Sequence, residues 1–344
     1  AVRLAGADRK GRPKGELVEI LERGKASAVG QFYSERGLHY VIETSGAKQR
    51  YIIAKRDTGG AKAGEMVKLE IVAYPTKRSE AQGKVISRLG LPDDPGMLTT
   101  VAIESFGLRT DWPKSVLKLA KQYGGEVSAA DKTDRIDLRD VPLVTIDGAD
   151  ARDFDDAVFA ERAGEGWRLI VAIADVSHYV RQGDALDVEA RKRGTSTYFP
   201  DRVVPMLPEA LSNGLCSLNP HVDRLCVVCE MRVAASGKVS RSKFYRGVMR
   251  SAARLTYGQV NAAVVEGDKQ VRSELQDVLP QLEQLHALYK AFAKARGRRG
   301  ALDLELPEVR ISLAQDKHTI ASVAPVERND AHKLIEECMI AANV

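Results

Sequence analysis

The residues best equipped for chemistry sit in one run, Thr145-Ile146-Asp147-Gly148-Ala149-Asp150-Ala151-Arg152-Asp153-Phe154-Asp155-Asp156. Five aspartates fall within ten positions, offset only by Arg152. Two unit charges about 4 Å apart repel by roughly 4 kcal/mol at an effective dielectric near 20. Such a cluster requires protons or a divalent cation to relieve it. Carboxylates, water and substrate phosphate are the usual ligands of Mg2+, which takes few protein ligands and keeps positions open. The chemistry implied is phosphoryl chemistry at a Mg2+ (or Mn2+) site. A helix–loop–helix calcium site would need ligands at alternate positions and a closing glutamate. Counted from Asp147, the third and fifth positions are Ala149 and Ala151 and the twelfth is Val158, so that reading fails. A solvated acidic turn is the plain alternative.

The flanking residues must position these carboxylates. Residues 141–146 and 157–160 read as short buried strands, which pins the aspartates between core elements. Residues 167–175 read as another buried strand, and Asp175 and His178 at its end as structural hydrogen-bonding groups rather than a catalytic pair. Upstream, residues 16–21 alternate like a strand. Short alternating segments with glycine turns from residue 28 to 86 predict a small antiparallel barrel. Phe32, Tyr33, Tyr40 and Tyr51 lie near Arg36, Lys48 and Arg50, a mixture suited to stacking single-stranded bases, although half of the strand positions must face inward. Helices are predicted over 97–106 and 114–123, between proline and glycine breaks. Leu275, Val278, Leu282, Leu285, Tyr289 and Phe292 repeat at helical spacing. The basic run of residues 294–300 after them suits either backbone phosphates or solvent.

Composition sets the class. A hydrophobic content of 44% is ample for a core, and a net charge of +5 does not by itself announce a nucleic-acid binder. Four cysteines in 344 residues make no disulfide framework, so a reducing cytoplasm is expected. Cys226 and Cys229, within an apolar run, read as core residues rather than half of a zinc site. No stretch approaches the length of apolar residues needed to span a membrane, and no membrane association is expected.

Several ordered motifs carry a resemblance. They are the aspartate run itself, Ile173-Ala174-Asp175-Val176-Ser177-His178-Tyr179, and Tyr198-Phe199-Pro200 on to Leu211-Ser212-Asn213-Gly214-Leu215-Cys216-Ser217-Leu218-Asn219-Pro220. Ala253-Arg254-Leu255-Thr256-Tyr257 and Leu334-Ile335-Glu336-Glu337-Cys338-Met339-Ile340-Ala341-Ala342-Asn343 follow. From Ile146 to Asn343 they resemble the catalytic domain of the ribonuclease II/ribonuclease R family, its ribonuclease R branch above all. The fold implied is an α+β catalytic domain preceded by an OB-fold, cold-shock-like β-barrel. Residues 1–20 would be the tail of a first cold-shock-like domain, 21–90 an RNA-binding barrel, 91–135 a helical connector, and 136–344 the catalytic domain.

The resemblance implies a Mg2+-dependent processive 3′→5′ exoribonuclease that hydrolyses single-stranded RNA to nucleoside 5′-monophosphates. Asp147, Asp153 and Asp156 match aspartates that bind or orient Mg2+. Asp155 matches the one on which cleavage depends, holding a second metal or the attacking water. Tyr257 matches a tyrosine beside the last nucleotide, Glu336 a glutamate on its sugar, and Tyr198 a tyrosine stacked on the 3′-terminal bases. Core packing remains the alternative for both tyrosines. Leu304 stands where the family commonly has a phenylalanine completing the base stack. The family's later arginine-bearing motif and its S1 barrel would fall beyond Val344. The chain is therefore expected to be a fragment, with the rest of the catalytic domain supplied by a further region or a separate chain. An alternative stays open: a truncated or inactive relative that binds RNA without cleaving it.

Overall fold

Alternating apolar positions close the early strands into a barrel. The computed structural model describes residues 2–7, 9–19, 25–44, 48–76, 78–302, 309–316 and 319–343. The chain divides into two units, one formed mainly by residues 1–109 and the other mainly by residues 110–344. In the first, β1 (Val2–Ala7) and β2 (Pro13–Leu17) form an antiparallel pair. The strand expected over 16–21 is shifted towards the N-terminus, because β1 offers pairing partners from Pro13 to Leu17; Ile20 and Leu21 lie outside the described residues. Next come β3 (Ser27–Glu35), β4 (Leu38–Glu43), β5 (Arg50–Ile53), β6 (Met66–Ala73) and β7 (Ala81–Gly90), a closed barrel in the order β3-β4-β5-β7-β6. Phe32 and Tyr51 are buried in its core with Val41, Ile53, Val67 and Leu69. Tyr33 and Tyr40 instead stack on each other at 5.2 Å, with the Arg50 guanidinium 5.7 Å from the Tyr40 ring centre. The helix expected over 97–106 is α1 (Met97–Phe106), which packs Met97 against Val29 and Met66.

The second unit is organised by a seven-stranded mixed sheet. Its elements are α2 (Lys114–Gln122), β8 (Ile136–Leu138), β9 (Val144–Asp147), β10 (Asp156–Ala163), β11 (Gly166–Ala174), α3 (Val176–Tyr179), α4 (Ala185–Arg193), β12 (Thr197–Tyr198), β13 (Val203–Val204), β14 (Asp223–Val233), β15 (Val239–Arg250) and β16 (Ala253–Thr256). There follow α5 (Tyr257–Asn261), α6 (Lys269–Glu274), α7 (Leu279–Arg298), β17 (Val309–Leu313), β18 (Ile320–Pro325) and α8 (Asp330–Asn343). The strand order is β16-β9-β10-β11-β14-β15-β8.

The central strands are covered on both faces and therefore read as nearly unbroken apolar runs. On one face Phe159, Ile170, Ala172, Cys226 and Val228 meet Val116 and Ala120 of α2, Leu186 of α4, and Leu211 and Leu215. On the other, Val158, Leu169, Val171, Cys229 and Met231 meet Leu282, Leu285 and Phe292 of α7 and Leu334, Ile335 and Cys338 of α8. Cys226 and Cys229 thus belong to opposite layers, and both are buried free thiols. The apolar repeat expected from Leu275 becomes helical only at Leu279, because Pro280 lacks an N–H and is tolerated in the first turn. Among the described residues no helix is long and apolar enough to cross a membrane.

A buried ion pair ties the end of β11 to the approach to β8. Arg135 Nη2 donates to Asp175 Oδ2 at 2.6 Å, with the two side chains 4% and 0% exposed, and Ser177 Oγ donates to Asp175 Oδ1 at 2.7 Å. The His178 amide donates to the Asp175 carbonyl at 3.1 Å, while the His178 ring meets Asp131 through Nε2 at 2.9 Å. Burial alone would raise the Asp175 pKa; bonds from Ser177 and Arg135, with the charges of Arg135 and Arg246, outweigh it and hold the carboxyl below its ordinary value. Removing one partner of such a pair strands the other charge, so Asp175→Ala is expected to destabilise the chain by about 3–5 kcal/mol at pH 7. A carboxyl with a lowered folded pKa contributes its stability above its unfolded pKa of about 3.9 and loses it as pH falls below that value. Urea unfolding at pH 7 and at pH 3 checks both: the gap between wild type and variant is expected to narrow in acid.

Candidate active site

Strand pairing brings the aspartates to one end of the sheet. β9 ends at Asp147, and β16, parallel to it, places Thr256 as its cross-strand partner. β10 returns antiparallel from Asp156, whose partner on β11 is Ile173. Tyr257 follows β16 directly, at the start of α5. Thr256 Oγ1 accepts from the Gln259 amide and Gln259 Oε1 accepts from the Thr256 amide, a capping box that stops the strand there.

The loop between β9 and β10 is held by its backbone. The Phe154 amide donates to Ser217 Oγ at 3.0 Å, and that hydroxyl donates to the Arg152 carbonyl at 3.0 Å. The Leu218 amide donates to the Phe154 carbonyl and the Ala174 amide to the Asp155 carbonyl, each at 2.8 Å. Arg254 Nη2 donates to the carbonyls of Ala149 at 2.9 Å and Ala151 at 3.1 Å, while its guanidinium lies 4.9 Å from the centre of the buried Phe154 ring. Ser217 is buried and its own carbonyl accepts from Arg224 Nε at 2.8 Å. Ser217 and Arg254 stand inside recognisable motifs, but nothing in their local sequence signals these distant carbonyl and amide contacts.

The side chains of the loop are left to confront one another. Burial raises the Asp147, Asp155 and Asp156 pKa values, and nearby aspartates raise them further: Asp153 and Asp150 act on Asp147, Asp153 and Asp147 on Asp155, and Asp147 and Asp155 on Asp156. Asp156 is pushed up to about 6, and its buried Oδ2 has no hydrogen-bond partner. Asp147 Oδ1 accepts from the Gly148 amide at 2.6 Å. Asp153 accepts from the Tyr198 hydroxyl, and the exposed Asp150 pairs with Arg310 at 2.8 Å.

These donors suit a hard divalent cation: all are carboxylate oxygens, and one of them, Asp156 Oδ2, is buried without a hydrogen-bond partner. Among the described residues no three His, Cys, Asp or Glu side chains are placed to hold a metal ion together. The arrangement therefore fits an ion that takes one or two carboxylates and fills its remaining positions with water and substrate oxygens.

The other expected residues surround this cluster unequally. The Tyr198 ring is 63% exposed, so it is not a core residue. Tyr257 is part-buried; burial and the charges of Asp147, Asp156 and Glu336 push its phenol up to about 12. Glu336, on α8, is bound bidentately by Arg328, whose Nε donates at 2.8 Å. Leu304 lies outside the described residues. In the basic run, Arg296 is engaged with Glu337 at 2.8 Å, joining α7 to α8, while Arg298 and Arg299 are exposed.

Known proteins share this architecture. Residues 135–344 match the RNB domain model and residues 41–113 a cold shock domain model. Ribonuclease R of Acidithiobacillus ferrooxidans is 49% identical over 304 residues, covering 88% of this chain and 69% of that protein. The chain belongs to the ribonuclease R family. Ribonuclease R of Vibrio parahaemolyticus is 50% identical over 98% of the chain, which spans only 40% of that relative's length. The solved Mycoplasma genitalium RNase R in complex with double-stranded RNA is 26% identical, with a TM-score of 0.85 over 99% of this chain and 59% of that one. A cold-shock-like barrel followed by an α+β RNB domain is thus the family architecture.

A carboxylate whose folded pKa is raised penalises the fold above its unfolded pKa, and the penalty is complete once pH exceeds the folded value. A tenfold change in proton affinity between the unfolded and folded states corresponds to about 1.4 kcal/mol. Asp156→Asn is therefore expected to stabilise the metal-free chain by about 3 kcal/mol at pH 7.5 and by about half of that at pH 5, measured by chemical denaturation in EDTA. Added Mg2+ is expected to raise the wild-type Tm and to raise that of Asp156→Asn far less.

Proposed function

We propose that this chain carries the cleavage centre of a cytoplasmic, Mg2+-dependent, processive 3′→5′ exoribonuclease acting on single-stranded RNA and releasing nucleoside 5′-monophosphates. One observation carries the reading: Asp147, Asp155 and Asp156 lie close enough to raise one another's pKa values, and a buried Asp156 oxygen has no hydrogen-bond donor among the described residues. Family membership supplies the reaction class, since phosphodiester hydrolysis calls for such a centre.

Asp147, Asp153 and Asp156 are the residues that would bind Mg2+ or orient it through its water ligands. Bound there, the ion supplies neutralisation of the phosphate charge and activation of water near neutral pH. The protein's share is positioning. Asp155 is the most exposed of the inner carboxylates and would orient the attacking water for in-line displacement. Tyr198, fixed through its hydroxyl to Asp153, presents an exposed ring for a terminal base. Tyr257 and Glu336 border the carboxylates where the last nucleotide would lie. The Tyr33–Tyr40 stack beside Arg50 offers a comparable aromatic and cationic surface on the barrel.

The test uses 5′-labelled single-stranded RNA with wild type and Asp155→Asn, in Mg2+ and in EDTA. Wild type in Mg2+ is expected to give a ladder shortening from the 3′ end. EDTA abolishes the ladder, and Asp155→Asn slows it by on the order of a hundredfold or more. Retained RNA affinity without shortening would replace this reading with that of an RNA-binding relative that does not cleave.

A further inference from the structure

Two residues with no part in the chemistry above, His332 and Asn329, form a unit with Tyr257 beside the carboxylates. The Tyr257 and His332 rings stack with centres 3.9 Å apart and planes 20° from parallel. Asn329 holds both partners. Its Oδ1 caps α8 by accepting from the amides of Ala331 at 3.1 Å and His332 at 3.3 Å, and it lies 2.8 Å from His332 Nδ1. Its Nδ2 donates to the Tyr257 carbonyl at 3.5 Å. Glu336 sits one helical turn beyond His332 on the same helix, where Arg328 fixes its carboxylate.

The capping box at Thr256 fixes the backbone of Tyr257 but leaves its side-chain torsions free. A parallel ring at 3.9 Å removes that freedom, and His332 provides it. His332 is itself set by the cap that starts α8. Tyr257 also packs against the core shared by α7 and α8, and His332 ties its ring to the helix that carries Glu336.

We propose that His332 is a positioning residue that, with Asn329, holds the Tyr257 ring in register with Asp147, Asp156 and Glu336 at the terminal-nucleotide position. The proposal rests on the ribonuclease reading of the site. His332 moves no proton in it; its flat face is what matters. Misplacement of a positioned substrate by about 1 Å lowers turnover up to about a hundredfold, and a loss felt only in the transition state lowers kcat and kcat/KM together with KM unchanged.

The test compares wild type, His332→Ala, His332→Phe and Asn329→Ala in two measurements. In the first, NMR of 13C-tyrosine-labelled chain, with the Tyr257 signal assigned by its loss in Tyr257→Phe, reports the stack directly. His332→Ala is expected to shift that signal away from its ring-current-shielded position, and His332→Phe to retain it. In the second, steady-state cleavage of single-stranded RNA, His332→Ala and Asn329→Ala are expected to lower kcat at least about tenfold with KM changed by less than about twofold, and His332→Phe to recover most of the loss. An unmoved Tyr257 signal in His332→Ala overturns the proposal, as does a defect confined to KM or a His332→Phe variant as impaired as His332→Ala. Wild type failing to cleave RNA defeats the ribonuclease reading instead, and the tyrosine signal alone then decides whether His332 fixes Tyr257.

Discussion

Repulsion among part-buried carboxylates is the constraint on which this site depends. Asp147, Asp155 and Asp156 would separate if their loop were free, and at their side chains only the Gly148 amide on Asp147 and the nearby charge of Arg254 ease the repulsion. The opposition comes from the backbone. Ser217, Leu218 and Ala174 hold the loop through amide and carbonyl groups, and Arg254 spans two of its carbonyls. This division of labour matters chemically. A guanidinium placed on the carboxylates themselves would hold the loop as firmly, but it would neutralise the charge that a divalent cation needs. Arg254 is spent on carbonyls and Arg310 on the outlying Asp150, so the inner oxygens keep their demand for a cation.

The sheet makes such a loop possible. Two apolar layers enclose its central strands, and the strands converge on the carboxylates from different directions. Such a platform resists the local strain of like charges because displacing Asp156 would disturb the ladder it shares with β11. The Arg135–Asp175 pair secures β11 just past the residue whose amide holds the Asp155 carbonyl. A buried pair of this kind is weak evidence for stability in itself; here it fixes the register of a strand end.

Much of this was legible in the sequence, for identifiable reasons. Barrel strands alternate, and α1 lies between Gly96 and Gly107, both left-handed, so its ends are written locally. The aspartates are neighbours in the chain, and their convergence follows once two strands flank them. The missing parts are long-range. Ser217 acts on an amide 63 positions away and Arg254 on a carbonyl 105 positions away. A serine or arginine so employed looks locally like any other. The aromatics of the barrel show the same limit: the pattern marks Phe32, Tyr33, Tyr40 and Tyr51 alike, and only strand pairing separates the two in the core from the two that stack outside.

The distribution of thiols over the two layers makes the sheet self-reporting. Cys216 and Cys226 lie under one face, Cys229 and Cys338 under the other, and burial raises all four pKa values, those of Cys216 and Cys226 to about 12. Each thiol stays protonated and inert while its layer is closed, and becomes an ordinary nucleophile when that layer opens. Alkylation at the two pairs therefore times the opening of the α2/α4 side and the α7/α8 side separately, with no foreign label in either core. A chain that opens one face before the other records the order in which its cysteines are modified.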